Sequence, residues 1–190
     1  NVTVIDNFIY NHSHVIKDLK QKKKFKFIRA DLAYLSKNQK DLEEITDVVI
    51  LGGLVSDPIT KKYPELNEKI NINGIKNCID FFDKKIVGKL IFISTCSNYG
   101  LIDKDILADE KYKLKPLSLY SKAKVEIENY ILNKKNSNIN YEPIILRFAT
   151  AFGLSPRMRF DLTVNEFTFE LLRKKKLEVY DPETWRPYCH

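Results

Sequence analysis

Cysteine is scarce in this 190-residue chain: Cys78, Cys96 and Cys189 are scattered and odd in number. That argues against a disulfide framework and makes a reducing cytoplasm the expected setting. No apolar run approaches the roughly 20 residues that a membrane-spanning helix needs, and nothing reads as a signal peptide, so no membrane partner is expected. Internal repeats and low-complexity stretches are missing too, which removes solenoids and linkers from consideration. What is present is ordinary for a globular protein, with 44% hydrophobic and 30% charged residues. The length suits one domain with a sizeable core and the beginning of a second.

The formal net charge of +7 raises the question of a nucleic-acid partner. The densest basic runs, Lys22-Lys23-Lys24 and Arg173 to Lys176, fall at the ends of expected helices, where cations interact favourably with the helix dipole and stay solvated. Aromatic residues do not interleave with them as in a base-stacking platform. No nucleic-acid partner is expected.

Short apolar runs alternate with helix-length amphipathic segments. The pattern predicts strands over 2–5, 25–29, 47–51, 89–94 and 142–148, and helices over 13–22, 36–44, 65–82, 117–134 and 162–174. The strands are rich in Val, Ile and Phe with little polar alternation, as in a parallel sheet covered on both faces. This is the α/β pattern of a doubly wound, Rossmann-like sheet. After Gly153 the alternation stops, and Leu154-Ser155-Pro156 marks an expected boundary between domains 1–153 and 154–190.

Five features carry chemistry. Tyr120 and Lys124, four apart on an expected helix, share one face. An ammonium there would lower the phenol pKa and make Tyr120 a general base toward a hydroxyl, although such pairs also arise by chance. Strand 89–94 runs into Ser94-Thr95-Cys96-Ser97-Asn98-Tyr99-Gly100, and ligands of doubly wound sheets bind at strand carboxyl ends. Read as structure alone, the same stretch is a turn closed by glycine. Asp6, followed by Asn7, ends the first strand, where an acid would accept hydrogen bonds from an adenosine ribose. No arginine follows at once to receive a 2′-phosphate, which favours NAD over NADP. Asp31-Leu32 repeats the pattern after the second strand. Leu51-Gly52-Gly53 ends the third with a bare backbone that a cofactor could approach closely.

Taken in order, these residues resemble the NAD-dependent epimerase/dehydratase family, the extended branch of the short-chain dehydrogenases. The likeness also takes in Asn71-Ile72-Asn73-Gly74, Leu146 to Gly153 and Arg186-Pro187-Tyr188-Cys189-His190. The resemblance implies a Rossmann domain over 1–153 and the start of a sugar-nucleotide domain over 154–190. It implies NAD held by Asp6, Asn7, Asp31, Leu32, Leu51, Gly52, Gly53, Asn71 and Lys124. Catalysis would fall to Tyr120, Lys124 and Thr95. A nucleotide-sugar would be held by Thr95, Thr150, Arg157, Arg159, Asn165 and Arg186, since arginine forks suit diphosphate oxygens. It also implies a homodimer formed through helices 65–82 and 117–134. No metal is implied.

Departures from the family pattern shape the expectation. The glycine-rich loop that seats a pyrophosphate on a helix N-terminus is not in the sequence. It and the first strand are expected to precede Asn1, and the rest of the substrate domain to follow His190. Thr150 stands where many relatives have asparagine. Cys96 and Ser97 occupy the place of the acidic pair of the 4,6-dehydratases, so epimerisation or ketone reduction is favoured over dehydration. Cys96 is expected to be a small packing residue, because no histidine is placed to activate it. The expected activity is sugar-nucleotide epimerisation through a keto-sugar. Reduction, 4,6-dehydration and non-catalytic NAD binding remain as alternatives.

Overall fold

The computed structural model describes residues 1–35, 42, 45–103 and 105–190. Strands β1 (Val2–Asp6), β2 (Phe25–Arg29) and β3 (Val48–Ile50) come first. Helices α1 (Asp57–Lys62), α2 (Pro64–Asn67) and α3 (Ile75–Phe82) follow, with a π-helical stretch, Glu68–Gly74, between α2 and α3. Then come β4 (Lys89–Thr95), α4 (Leu119–Lys135), β5 (Glu142–Phe148), β6 (Thr150–Ala151), α5 (Thr163–Lys174) and β7 (Tyr188–Cys189).

β1 and β2 pair in parallel, from Val2 opposite Phe25 to Asp6 opposite Arg29. β3, β4 and β5 form a second parallel sheet, with Ile50 opposite Phe92 and Thr95 opposite Phe148. β6 and β7 make a short third one. The single sheet that the sequence suggests is therefore divided: no described strand joins β1 to β3.

The core lies on one face of the larger sheet. In α3, Ile75, Cys78, Ile79 and Phe82 recur at helical spacing and are buried against Ile50, Leu90 and Phe92. Ile127 and Ile131 of α4 complete that layer, and burying each such side chain stabilises the fold by roughly 1.5–3 kcal/mol. The other face differs from expectation. Alternation directs Val49, Leu146 and Phe148 there, and all three are exposed, Val49 at 51%. Covering on both faces is not observed among the described residues.

Several expected helices change form. Residues 13–22 make two 3₁₀ turns, Ser13–Ile16 and Leu19–Gln21, rather than one helix. Ile16 is their only buried residue, so no apolar stripe docks to hold a longer helix. The expected helix 36–44 lies outside the described residues, apart from the buried Leu42. The expected helix 65–82 has a π-helical middle, and α1 precedes it, with Pro58 in its first turn and Lys61 and Lys62 in its last.

Candidate active site

The start of α4 is fixed by a reciprocal cap. Ser118 Oγ accepts the Ser121 amide at 3.1 Å, and Ser121 Oγ accepts the Ser118 amide at 3.2 Å. The first turn then places Tyr120 and, one turn on, Lys124. The Lys124 ammonium donates to the Ile93 carbonyl at 2.7 Å and sits 4.6 Å from the Phe92 ring centroid and 5.7 Å from that of Tyr120. Burial pushes this lysine down to about 8, with the Glu128 carboxylate pulling the other way.

The phenol corrects the expectation drawn from spacing. Burial pushes Tyr120 up to about 12; the Asp57 carboxylate adds to this, and the Arg159 guanidinium opposes it. The ammonium lies over the ring and is bonded to Ile93 rather than to the hydroxyl, so it does not outweigh the desolvation of the phenol. Thr95 ends β4, two residues beyond that carbonyl, and its Oγ1 accepts the Ser97 amide at 3.2 Å. Burial raises the Cys96 thiol above its usual value even though Arg186 opposes it, so the thiolate is disfavoured.

The other strand ends open on a cavity of about 220 Å³ lined by Asp6, Asn7, Asp31, Leu32, Leu51, Gly52 and Gly53. The strand-end residues expected at the cofactor are thus brought together. Asp6 Oδ1 accepts the Phe8 amide at 2.6 Å, and its Oδ2 lies 3.4 Å from His12 Nε2. Asp31 accepts the Ala33 amide at 2.9 Å and, on its other oxygen, Asn7 Nδ2 at 3.2 Å. A Cβ on Gly52 would press on the tip of the Leu32 side chain, which can turn aside, whereas Gly53 has φ +143°. The backbone therefore requires glycine at position 53.

Asn71 lies behind this wall. Its amide oxygen accepts Leu54 N at 2.7 Å, while its nitrogen donates to Leu54 O at 2.9 Å and Asn67 Oδ1 at 2.7 Å. Both amide hydrogens are engaged within the protein, so Asn71 shapes the glycine loop from the rear.

The residues expected on the sugar-nucleotide side fall into two groups, Arg157, Arg159 and Asn165 in one and Thr150 with Arg186 in the other. Arg157 lines the same cavity as Asp6 and stacks 4.7 Å from the Tyr10 ring centroid. Arg159 forks onto Asp161 at 3.0 and 2.6 Å. Asn165 accepts the Gly153 amide at 3.1 Å and donates to Arg159 O at 3.0 Å, stapling the segment. Arg186 donates to Thr150 Oγ1 at 3.0 Å.

Sequence reasoning missed Tyr10, His12 and Asp57, which lie in loops or at a helix start without periodicity. It also missed Glu128, although its spacing of four from Lys124 signals a shared helix face.

Parallel strands whose carboxyl ends open on a cavity bearing two acids and two glycines define a Rossmann-like α/β protein of the dinucleotide-binding class. The chain belongs to the NAD dependent epimerase/dehydratase family, whose model matches residues 1–190. An uncharacterized protein of Methanocaldococcus jannaschii is 28% identical over 185 residues, 93% of this chain and 56% of the relative. The UDP-glucuronic acid 4-epimerase from Bacillus cereus, solved with UDP-glucuronic acid and NAD, is 26% identical with a TM-score of 0.84, covering 99% of this chain and 60% of that one. An NAD-dependent NDP-hexosamine 5,6-dehydratase involved in tunicamycin biosynthesis is 25% identical with a TM-score of 0.80, covering 99% and 59%. The chain therefore spans somewhat more than half the length of these relatives. No described helix is long and apolar enough to cross a membrane, and no cluster of described residues is suited to a metal.

Proposed function

We propose that this chain belongs to an NAD-dependent enzyme acting on nucleotide-sugars, and that its reaction is epimerisation through a keto-sugar. One observation carries the reading: Lys124 is buried beneath Tyr120 and bonded to the end of β4 beside Thr95. Residues 1–153 would form the cofactor domain, and 154–190 would begin the substrate domain.

The residues present suit the adenosine end of the cofactor. Asp6 and Asp31 each keep acceptor capacity beyond their loop bonds, and the glycine wall admits close approach. The cavity is smaller than the roughly 300–1,000 Å³ of sites that enclose a whole ligand, which matches one end of a dinucleotide. NAD, when bound, supplies the acceptor and donor of hydride, together with a positive ring that favours a phenolate. Tyr120 takes the proton of a sugar hydroxyl as the carbon becomes a ketone, and returns it when the ketone is reduced on its opposite face. Thr95 orients that hydroxyl, and Lys124 supplies the cation that steadies the phenolate. Cys96 and Ser97 offer no acid for expelling water, which favours epimerisation over dehydration.

The test is turnover of UDP-, GDP- and dTDP-sugars by the full-length protein. Tyr120→Phe should lower kcat by about 10²–10⁴. Full activity in that variant would refute the mechanism.

A further inference from the structure

The side chains on the buried face of α4 include one that the reaction above does not use. Glu128 follows Lys124 by one helical turn, and its residue is only 1% exposed. Its carboxylate accepts Ser94 Oγ at 2.5 Å, Asn98 Nδ2 at 2.7 Å and Arg147 Nη2 at 2.7 Å, with Arg147 Nε 3.1 Å from both oxygens. Arg147 stands on β5 directly opposite Ser94 in the sheet register. It also donates to Tyr99 Oη and Glu110 O, each at 3.2 Å.

We propose that Glu128 is a positioning residue: it locks the end of β4 and the turn after it, with Thr95 between the two anchor points, onto the helix that carries Tyr120 and Lys124. This inference rests on the reading of Tyr120, Lys124 and Thr95 as the reacting corner. The grip is continuous along the chain. Lys124 holds the carbonyl of Ile93, while Glu128 holds Ser94, the next residue, and Asn98, the third residue of the turn Cys96–Tyr99. Thr95 has no side-chain tie to α4 among the described residues, so its placement against Tyr120 is set by its neighbours. Asn98 also donates to Ser94 Oγ at 3.0 Å, which closes the turn on itself.

Stability alone does not explain such an arrangement. Exchanging a buried ion pair for packed apolar side chains is often neutral or stabilising. A carboxylate with several bonds to one turn instead fixes direction and distance, which proton transfer requires to a fraction of an ångström. Glu128 also places an anion near the Lys124 ammonium and favours its charged form.

The experiment uses full-length protein with NAD and compares Glu128→Gln, Ser94→Ala and a control, Lys134→Met. The control breaks the Asp80 and Asp83 pairs on the outer part of α4, away from the reacting corner. Glu128→Gln should lower kcat about 10- to 100-fold, while KM for the sugar nucleotide and Kd for NAD stay within about twofold. Ser94→Ala should lower kcat by a smaller factor of about 3 to 10, and Lys134→Met should leave it unchanged. In Glu128→Gln the alkaline limb of kcat should move to lower pH, because the ammonium loses the anion that favours it. The groups facing that ammonium are Tyr120 and Glu128 on α4 and Phe92 and the Ile93 carbonyl on β4, with Arg147 of β5 acting through Glu128.

An unchanged kcat in folded Glu128→Gln, or a loss carried by KM, would overturn the assignment. Should Glu128→Gln not fold, Ser94→Ala decides: an unchanged kcat overturns the assignment, and a selective loss of kcat supports it. If Tyr120→Phe is inactive while Glu128→Gln is normal, this inference alone fails. If Tyr120→Phe is fully active, the underlying reading fails with it.

Discussion

At the carboxyl ends of β1 and β2, Asp6, Asn7 and Asp31 each accept an amide from two residues further along the chain. At the end of β4 Thr95 makes the same kind of local bond, but there a buried network between distant segments is added: Glu128 reaches Ser94, Asn98 and Arg147 across the buried layer. No residue of β1 or β2 is fully buried, whereas Leu90, Phe92 and Ser94 of β4 are. Local turns shape a loop and leave carboxylate oxygens with capacity for a ligand. A buried network spends that capacity on geometry. The first arrangement suits an end that receives a cofactor, and the second suits an end where a proton must move.

The sharpest way to break this contrast is to remove the centre of the buried network. Glu128→Ala leaves the Arg147 guanidinium without its carboxylate and Ser94 and Asn98 without their anchor. Loss of one partner of a buried ion pair costs about 3–5 kcal/mol. Urea unfolding of the variant should show a loss of that size, and a loss below about 1 kcal/mol would mean that the pair is solvated in practice.

Lys124→Met tests the same region with the opposite sign. The lysine is held down to about 8 by burial, below its value in the unfolded chain. The unfolded state therefore binds more protons between pH 8 and about 10.4, so stability rises with pH across that window and is reduced below it. Replacing the ammonium with a thioether removes that cost, and the variant should gain up to about 3 kcal/mol at pH 7 while turnover collapses. Its stability should also lose the rise between pH 8 and about 10.4. Thermal unfolding as a function of pH, run beside an activity assay, checks both halves.

What could be read in the sequence follows the same division. Tyr120 and Lys124 were legible because helical periodicity fixes their relation without any tertiary contact. Asp6, Asp31 and Gly52 were legible because each stands where an apolar run ends. The depth of Glu128 was not, since an acid on a helix is ordinarily solvated and only the approach of β4 and β5 buries it. The raised phenol of Tyr120 was hidden for the same reason: spacing reveals a neighbouring charge but not the loss of water. The segment 13–22 misled because its Val and Ile suggested an amphipathic helix, yet only Ile16 finds a core to enter. His12 and Tyr10 reach the cavity from loop positions that no period predicts.

The smallest expected effect lies at the local end and separates the two uses of one carboxylate. Asp31 caps the 3₁₀ turn Leu32–Tyr34 through the Ala33 amide and also receives Asn7 Nδ2. Asp31→Ala removes both bonds and should cost about 1 kcal/mol, the usual effect of losing such a cap. Asp31→Asn keeps an acceptor for Ala33 and should recover most of that stability. If Asp31 also meets the adenosine end of NAD, Asp31→Ala should weaken cofactor binding by roughly 2- to 10-fold, the effect of one hydrogen bond. Asp31→Asn should fall between Asp31→Ala and the parent protein, because its amide oxygen still accepts but carries no charge. Calorimetric titration of NAD into full-length protein measures this, and equal affinities for all three proteins would confine Asp31 to shaping its own turn.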